Sequence, residues 1–336
     1  MKIRPLLLLC LIAISFHGAF AQEIHVSPTG GNVYPFDSLA KAATNIHEAV
    51  DGAPDGAVVR IHPGTYSFTN SLVIRNAISL IGVNGAATTI LDGNNEVRCI
   101  DSSNPNTLIE GLTVQRGFAT YSFEEPRDHG DGGGIRLQSG GVVRACAILN
   151  NRASYQGGGI QALDSGLIDS CIIVSNAIHS DESGDGGGIS LGTEVEMRNC
   201  LVAYNRAIRD GGGVFSFGNN PRIRNSTIVF NSAGGAGGGI FLFVGGTVEN
   251  SIVYHNDAPL SGNWFHRRGG NELMSNSCTF PMPIGPGNIP DPPRFANPNN
   301  GDFRLRADSL CIDGGTTNEW TDTAKDLAGL PRLVGP

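Results

Sequence analysis

The stretch RDHGDGGGIRL, Arg127 to Leu137, places Asp128, His129 and Asp131 directly before three glycines. Two chemistries suit these residue types. Carboxylates and an imidazole on one loop can ligate a cation or move a proton. Consecutive glycines let a backbone approach an anion closely. Which applies depends on whether the stretch occurs once.

It does not. The segments VVRACAILNN, LIDSCIIVSN, EMRNCLVAYN and RIRNSTIVFN align, and TVENSIVYHN follows as a fifth. Anchored on Cys146, Cys171, Cys200, Ser226 and Ser251, they step by 25, 29, 26 and 25 residues. Five residues after each anchor stands Asn151, Asn176, Asn205, Asn231 or Asn256. Glycine triplets follow at 157–159, 186–188, 211–213 and 237–239, before Ile160, Ile189, Val214 and Ile240, as 132–134 precede Ile135. GGGI is therefore repeat punctuation and carries no phosphate site. Any chemistry must come from the residues before it.

Such a repeat is too short for a strand, a helix and two loops, so each is one turn of an all-β solenoid. Val143, Ile168, Met197, Ile223 and Val248, three before the anchors, are expected in the core. So are Ile148, Ile173, Val202, Ile228 and Val253, two after them, and the odd spacing between these columns requires a bend. The column Arg144, Asp169, Arg198, Arg224 and Glu249 should face water, with Asp169 between two arginines at ~4.8 Å steps. The asparagines are expected to tolerate a left-handed corner and to hydrogen-bond from turn to turn. Cys146, Cys171 and Cys200 share one column and read as stacked, buried thiols, with disulfides as the other reading. No Cys-x-x-Cys or paired histidines suggest zinc.

Lys2 and Arg4, the apolar run PLLLLCLIAISF and Ala19-Phe20-Ala21 read as a secretory signal over residues 1–21. A secreted or cell-surface protein is expected, with no transmembrane span in the mature chain and a monomeric state. Glycine is abundant at 47 residues and aromatic content is only 7%, as in turn-rich β proteins. A formal charge of −8 argues against nucleic acid or an anionic membrane as partner.

These residues resemble the right-handed parallel β-helix proteins of the pectin-lyase-like class over most of the mature chain. EIHVSPTGG, SLAKAATNIHEAVDGAPDGAVVRIHPGTY and SLVIRNAISLIGVNGAATTILDG are similar to the opening of such proteins. There Asp37 or Ser38 is expected to cap a helix with Leu39, Ala42, Ala43, Ile46, Ala49 and Val50 on one face, covering the first turn. FNSAGGAGGGI is similar to repeats of polymorphic outer-membrane proteins. GNIPDPPRFANPNNGDFRLRADSLCIDGGT resembles the C-terminal signature of surface β-helix proteins termed choice-of-anchor Q, although the chain ends at GLPRLVGP with no sorting anchor visible. The expected organisation is a parallel β-helix with its cap over 22–256 and an irregular or β segment over 257–336, packing on the helix or extending it.

Chemistry should sit where the segment between asparagine and triplet grows. It is five residues in RASYQ, RAIRD and SAGGA, nine in AIHSDESGD, and fifteen from Gly117 to Asp131, where Arg116 is read at the asparagine position. Insertions in solenoids gather on one edge, often the binding edge, and these two lie ~10 Å apart along the axis. Tyr121, Glu124, Glu125, Tyr155, His179, Asp181 and Glu182 are the expected ligand-binding residues. Asp128, His129, Asp131, Asp185, Arg209 and Asp210 are the catalytic candidates. Asp131, Asp185 and Asp210 stand in one column before the triplets, and Ca2+ is the one cofactor they suggest.

The resemblance implies one alternative, a polysaccharide lyase that pairs Ca2+ with an arginine or lysine base. No lysine lies in the repeats, so the base would be Arg209 or Arg116, a role arginine resists. A glycoside hydrolase would use two carboxylates instead, but DHGDGGG is not the Gly-His-Gly run of polygalacturonases. The loops could also be solvated decoration on an adhesin-like structural surface module. The reading carried forward is a β-helix that contacts a polysaccharide or cell-surface glycan without an identifiable catalytic set. Trp264, in SGNWFHRRGG, is either a sugar platform or the closure of the last turn.

Overall fold

The structure is a computed structural model that describes residues 21–122, 128–179, 184–268, 274–317 and 324–332. The expected export signal lies outside the described residues up to position 20. Among the described residues, no helix is long and apolar enough to cross a membrane.

Two left-handed corner residues end the β-branched runs of each aligned repeat. One precedes the anchor: Ala145, Ser170, Asn199, Asn225 and Asn250, with φ of 49–58°. The other precedes the asparagine: Asn150, Ser175, Tyr204, Phe230 and His255, with φ of 54–58°. These corners divide every turn among three parallel sheets. Among the described residues these have 16, nine and five strands. In one turn, Ile135–Leu137 and Val142–Arg144 lie in the first sheet, Ala147–Leu149 in the second and Arg152–Ala153 in the third.

The corners also account for the core. The first corner reverses the alternation, so both expected apolar columns point inward, and every member of the two is no more than 1% exposed. Stacking holds down to single rungs, with Ile148 against Ile173, Ile173 against Val202 and Val202 against Ile228. In the column expected to face water, Asp169 sits between Arg144 at 3.7 Å and Arg198 at 3.1 Å, as the sequence predicts, but is itself buried beneath them. Arg224 pairs with Glu249 at 3.0 Å.

The asparagine column is a buried amide ladder. Asn205 Oδ1 accepts from the backbone N–H of Asn176 at 2.9 Å and from its Nδ2 at 3.0 Å. Asn205 in turn donates its backbone N–H and Nδ2 to Asn231 Oδ1, both at 2.9 Å. The pattern starts at Gly117, whose N–H reaches Asn151 Oδ1 at 2.7 Å, and ends where Asn256 donates to Asn263. Two expectations are corrected here. The left-handed residue is the one before each asparagine, because the asparagine itself must aim its side chain along the stack. Arg116 is likewise one place early: Ala147 pairs with Thr113, so Arg116 matches the corner residue Asn150 and Gly117 matches Asn151.

The glycine triplets are equally specific. The first glycine of each has φ of 60–68°. At the next two, a Cβ would meet the neighbouring turn's backbone or its ladder asparagine: at Gly212 it would lie 2.3 Å from Ser232 O, and at Gly213 2.7 Å from Gly239 O. No side chain fits there.

Both ends are covered. Helix α1, Ile46–Asp51, buries Ile46, Ala49 and Val50 over the first turn. It is shorter than expected, and its cap is Asn45, whose side chain accepts from the His47 N–H. Leu39–Lys41 is a separate 3-10 turn without a side-chain cap, and Leu39 is 53% exposed, so it is not on the helix's buried face. At the other end the last rungs are Trp264–His266, Met274–Ser275 and Cys278–Thr279. Trp264 follows Ile240 in register and donates its indole N–H to Pro281 O at 2.7 Å, closing the stack.

The chain beyond runs back along the helix. Phe295, Phe303 and Leu305 pack on Ala203, Val229 and Phe230. Asn199 Nδ2 donates to Lys325 O at 2.8 Å, and Arg332 donates to Asn199 Oδ1 and, at 3.1 Å, to Asn225 O. Asn250 exchanges two hydrogen bonds with the Thr316 backbone, at 2.8 and 2.9 Å.

Asn205→Ala would strand the Asn176 donors and Ile173 O inside the stack and take one of the two donors from Asn231 Oδ1. A loss of about 3 kcal/mol is expected. Urea unfolding checks this, with a lower midpoint at unchanged slope.

Candidate functional site

The strand after each glycine triplet points its first residue inward and its second outward. Down the stack that outward column reads Asp101, Arg136, Gln161, Ser190, Phe215, Phe241 and Phe265. It is polar in the earlier turns and aromatic in the later ones. Beside it lies the column before the triplets, Asp131, Gln156, Asp185 and Asp210 on four successive rungs.

The polar end is tightly paired. Asp101 accepts from Arg136 Nε at 3.0 Å and Nη2 at 2.5 Å, and from Gln138 Nε2 at 2.7 Å. Arg98 occupies, one turn earlier, the position of the second glycine, and is buried. Its Nε and Nη2 donate to Asp131 O at 2.9 and 2.8 Å, and Nε reaches Gly132 O at 3.2 Å. Elsewhere the triplet carbonyls accept from the preceding turn's glycines, so Arg98 supplies the donors missing at the first triplet. Asp131 Oδ1 and Gln161 Oε1 are buried without a hydrogen-bond partner. Burial holds the Asp131 carboxyl above the ordinary carboxylate range, against the pull of Gln161 and Arg98.

At the next long loop, the Asp185 side chain is 0% exposed and that of Arg209 49%. Arg209 grips both carboxylate oxygens, with Nε to Oδ1 at 2.9 Å and Nη2 to Oδ2. The Asp210 N–H also donates to Asp185 Oδ1, at 3.1 Å. Asp210 Oδ2 lies 3.6 Å from Arg209 Nε, while its Oδ1 accepts from the Ala236 N–H at 2.8 Å. Burial, with the adjacent Asp185 charge, raises the Asp210 carboxyl. The bonds to Asp185 hold the Arg209 guanidinium above its usual range.

The loop edge adds exposed rings. Tyr121–Ser122 pairs with Asp128–His129 as a short antiparallel hairpin, and Tyr121 meets His129 edge-on at 6.1 Å. The third sheet sets the two long loops two rungs apart, on either side of Arg152–Ala153, and His179 packs on Phe118 at 5.8 Å. Tyr121 and Tyr155 are exposed. Tyr121, His129, Tyr155, His179 and Arg209 thus share the expected edge. Glu124, Glu125, Asp181 and Glu182 lie outside the described residues.

A crystal structure of the pectate lyase Pel9A matches with a TM-score of 0.59 at 13% identity, covering 94% of this chain and 98% of that one. The fold is pectin-lyase-like. A pectin methylesterase in complex with a hexasaccharide gives a TM-score of 0.43 at 12% identity, over 84% of this chain and 98% of the other. The pectin methylesterase PemA from Erwinia chrysanthemi gives 0.35 at 12% identity, over 78% and 74%. No protein-family model and no curated protein matches the chain.

On this pectin-lyase-like helix the expected metal column does not fit one ion. Asp131 and Asp210 are three rungs apart, about 14 Å, whereas Ca2+ oxygens all lie within about 2.6 Å of the ion. Asp185 is engaged by Arg209. Among the described residues no group of three or more His, Cys, Asp or Glu could hold a metal ion. Both arginines considered as bases are ion-paired, Arg116 with Asp92 at 2.5 Å, and both are raised by hydrogen bonds to their partners. Sequence reading missed Arg98, Asp101, Arg136 and Gln161. The signal was the position after each triplet's β-branched residue, read down the repeats.

Asp131 generates a pH prediction. A folded-state carboxyl raised above its unfolded value makes the protein lose stability as pH rises from the ordinary carboxylate range through the folded value. Asp131→Asn removes that loss. The variant is expected to match the parent near pH 3 and to melt higher than it at neutral pH, by calorimetry at both.

Proposed function

We propose that this is a secreted or cell-surface β-helix protein that binds a glycan along its long-loop edge. The observation that carries this reading is the exposed set Tyr121, Tyr155 and Arg209 beside the buried Asp185. Tyrosines offer apolar faces with a polar tip, and a half-exposed guanidinium retains donors for hydroxyl or carboxylate oxygens. A pectate lyase with this fold supports a polysaccharide partner. The N-terminal export pattern and the choice-of-anchor Q-like C-terminal motif support delivery to the outside of the cell.

Binding without turnover is the favoured form. An arginine held protonated by a carboxylate is a poor proton acceptor, which weakens the lyase alternative. The raised carboxyls of Asp131 and Asp210 favour, as second reading, a hydrolase that uses one of them as a proton donor.

A panel of uronate and neutral polysaccharides separates these. Binding with neither product is expected. Ultraviolet-absorbing unsaturated ends would support a lyase, and new reducing ends without them a hydrolase; binding to none leaves the structural-module reading. Tyr155→Ala and Arg209→Ala should each weaken binding roughly tenfold by calorimetric titration. A chelator should change nothing.

A further inference from the structure

We propose that Cys278 and Cys311 are a disulfide-forming pair that fastens the C-terminal segment to the last rung of the helix. Cys278 stands on Cys278–Thr279, the final strand of the nine-stranded sheet, with its N–H on Ser251 O at 2.8 Å. Cys311 arrives from the segment that folds back, beyond the strand Asp302–Leu305, with its N–H on Ser309 Oγ at 3.2 Å. The two side chains line one cavity with Ile289, Phe303 and Leu305, and the Cys278 thiol donates to Asp291 O at 3.1 Å. Cys278 is buried and Cys311 half-buried, so one sulfur is shielded and its partner reachable.

Cys146, Cys171 and Cys200 sit on successive rungs, each thiol donates to backbone carbonyls, and burial pushes the Cys146 and Cys171 thiols up. The Cys278 contact instead lowers Cys311 to about 7, with Asp291 opposing, while the same contact and burial raise Cys278. Cys311, the more exposed of the two, is therefore the attacking thiolate.

The oxidant is a small-molecule or protein disulfide. The Cys311 thiolate attacks one of its sulfurs, forming a mixed disulfide and releasing a thiolate. That thiolate takes the Cys278 proton. Cys278 sulfur then attacks Cys311 sulfur and expels the second donor thiolate, which is protonated by solvent. Two protein thiols lose two electrons and two protons, and the donor disulfide becomes two thiols.

The test uses the full chain, reduced, equilibrated with oxidised glutathione and digested with trypsin without reductant. The expected product links peptides 269–294 and 307–325. In Cys278→Ser, Cys311 should remain as the glutathione adduct, because nothing resolves it. In the reduced parent, iodoacetamide labelling of Cys311 should rise through about pH 7. Reductant should lower the melting midpoint of the oxidised parent by roughly 5 °C and leave Cys311→Ser unmoved. Recovery of both peptides unlinked, as free thiols or as glutathione adducts, overturns the pairing. A linked pair whose reduction leaves the midpoint unchanged overturns the fastening.

Discussion

A parallel strand satisfies its N–H and C=O groups only through the turns before and after it, so every turn must present the same groups at the same height. That constraint selects the residues that recur. Two left-handed corners per turn keep the three sheets in register. The asparagine ladder ties one corner to the next with side-chain amides, where no strand continues. The glycines permit turns to approach where even a methyl group would collide. Each stack needs a terminator as well: Arg98 begins the glycine column, Asn263 ends the amide ladder, and α1 covers the first turn.

The edge set with long loops is where this constraint relaxes. Between asparagine and triplet, chain can be inserted without shifting any rung, so charge and aromatic rings accumulate there. The charges are not loose. Asp101 holds Arg136, and Asp185 holds Arg209, leaving one guanidinium face and two tyrosines toward solvent. Later in the stack the outward column turns to phenylalanine, where Phe215, Phe241 and Phe265 lie ring on ring at 5.6 and 5.3 Å. Rings stacked on each other offer edges rather than faces, so this end strengthens rung-to-rung contact more than it provides a sugar platform.

Much of the fold was legible because burial repeats with the turn. Val143, Ile168 and Met197 mark one inward column and Ile148, Ile173 and Val202 the other, and their odd spacing demanded the corner found at Ala145. Errors arose where one residue type serves two purposes. Asparagine suits a left-handed corner in isolation, yet in Asn151 and its successors the ladder claims the side chain and the corner moves back one residue. Arg116 was misaligned because the anchor of its turn is Leu112, which lacks the Cys or Ser of later turns. The site was half legible. Loop length marked the edge, but charge pairing depends on register: nothing in AIRDGGG alone says that Arg209 would neutralise Asp185 rather than face solvent.

The corner asparagines have one more consequence. A stack in which each turn touches only its neighbours is free to fray from its end, losing rungs one at a time. Here the returning tail lies across the staves like a splint, gripping Asn250, Asn225 and Asn199 on three different turns. The last turn cannot peel away while the tail holds its predecessors. Loss of the C-terminal rungs becomes a single concerted event.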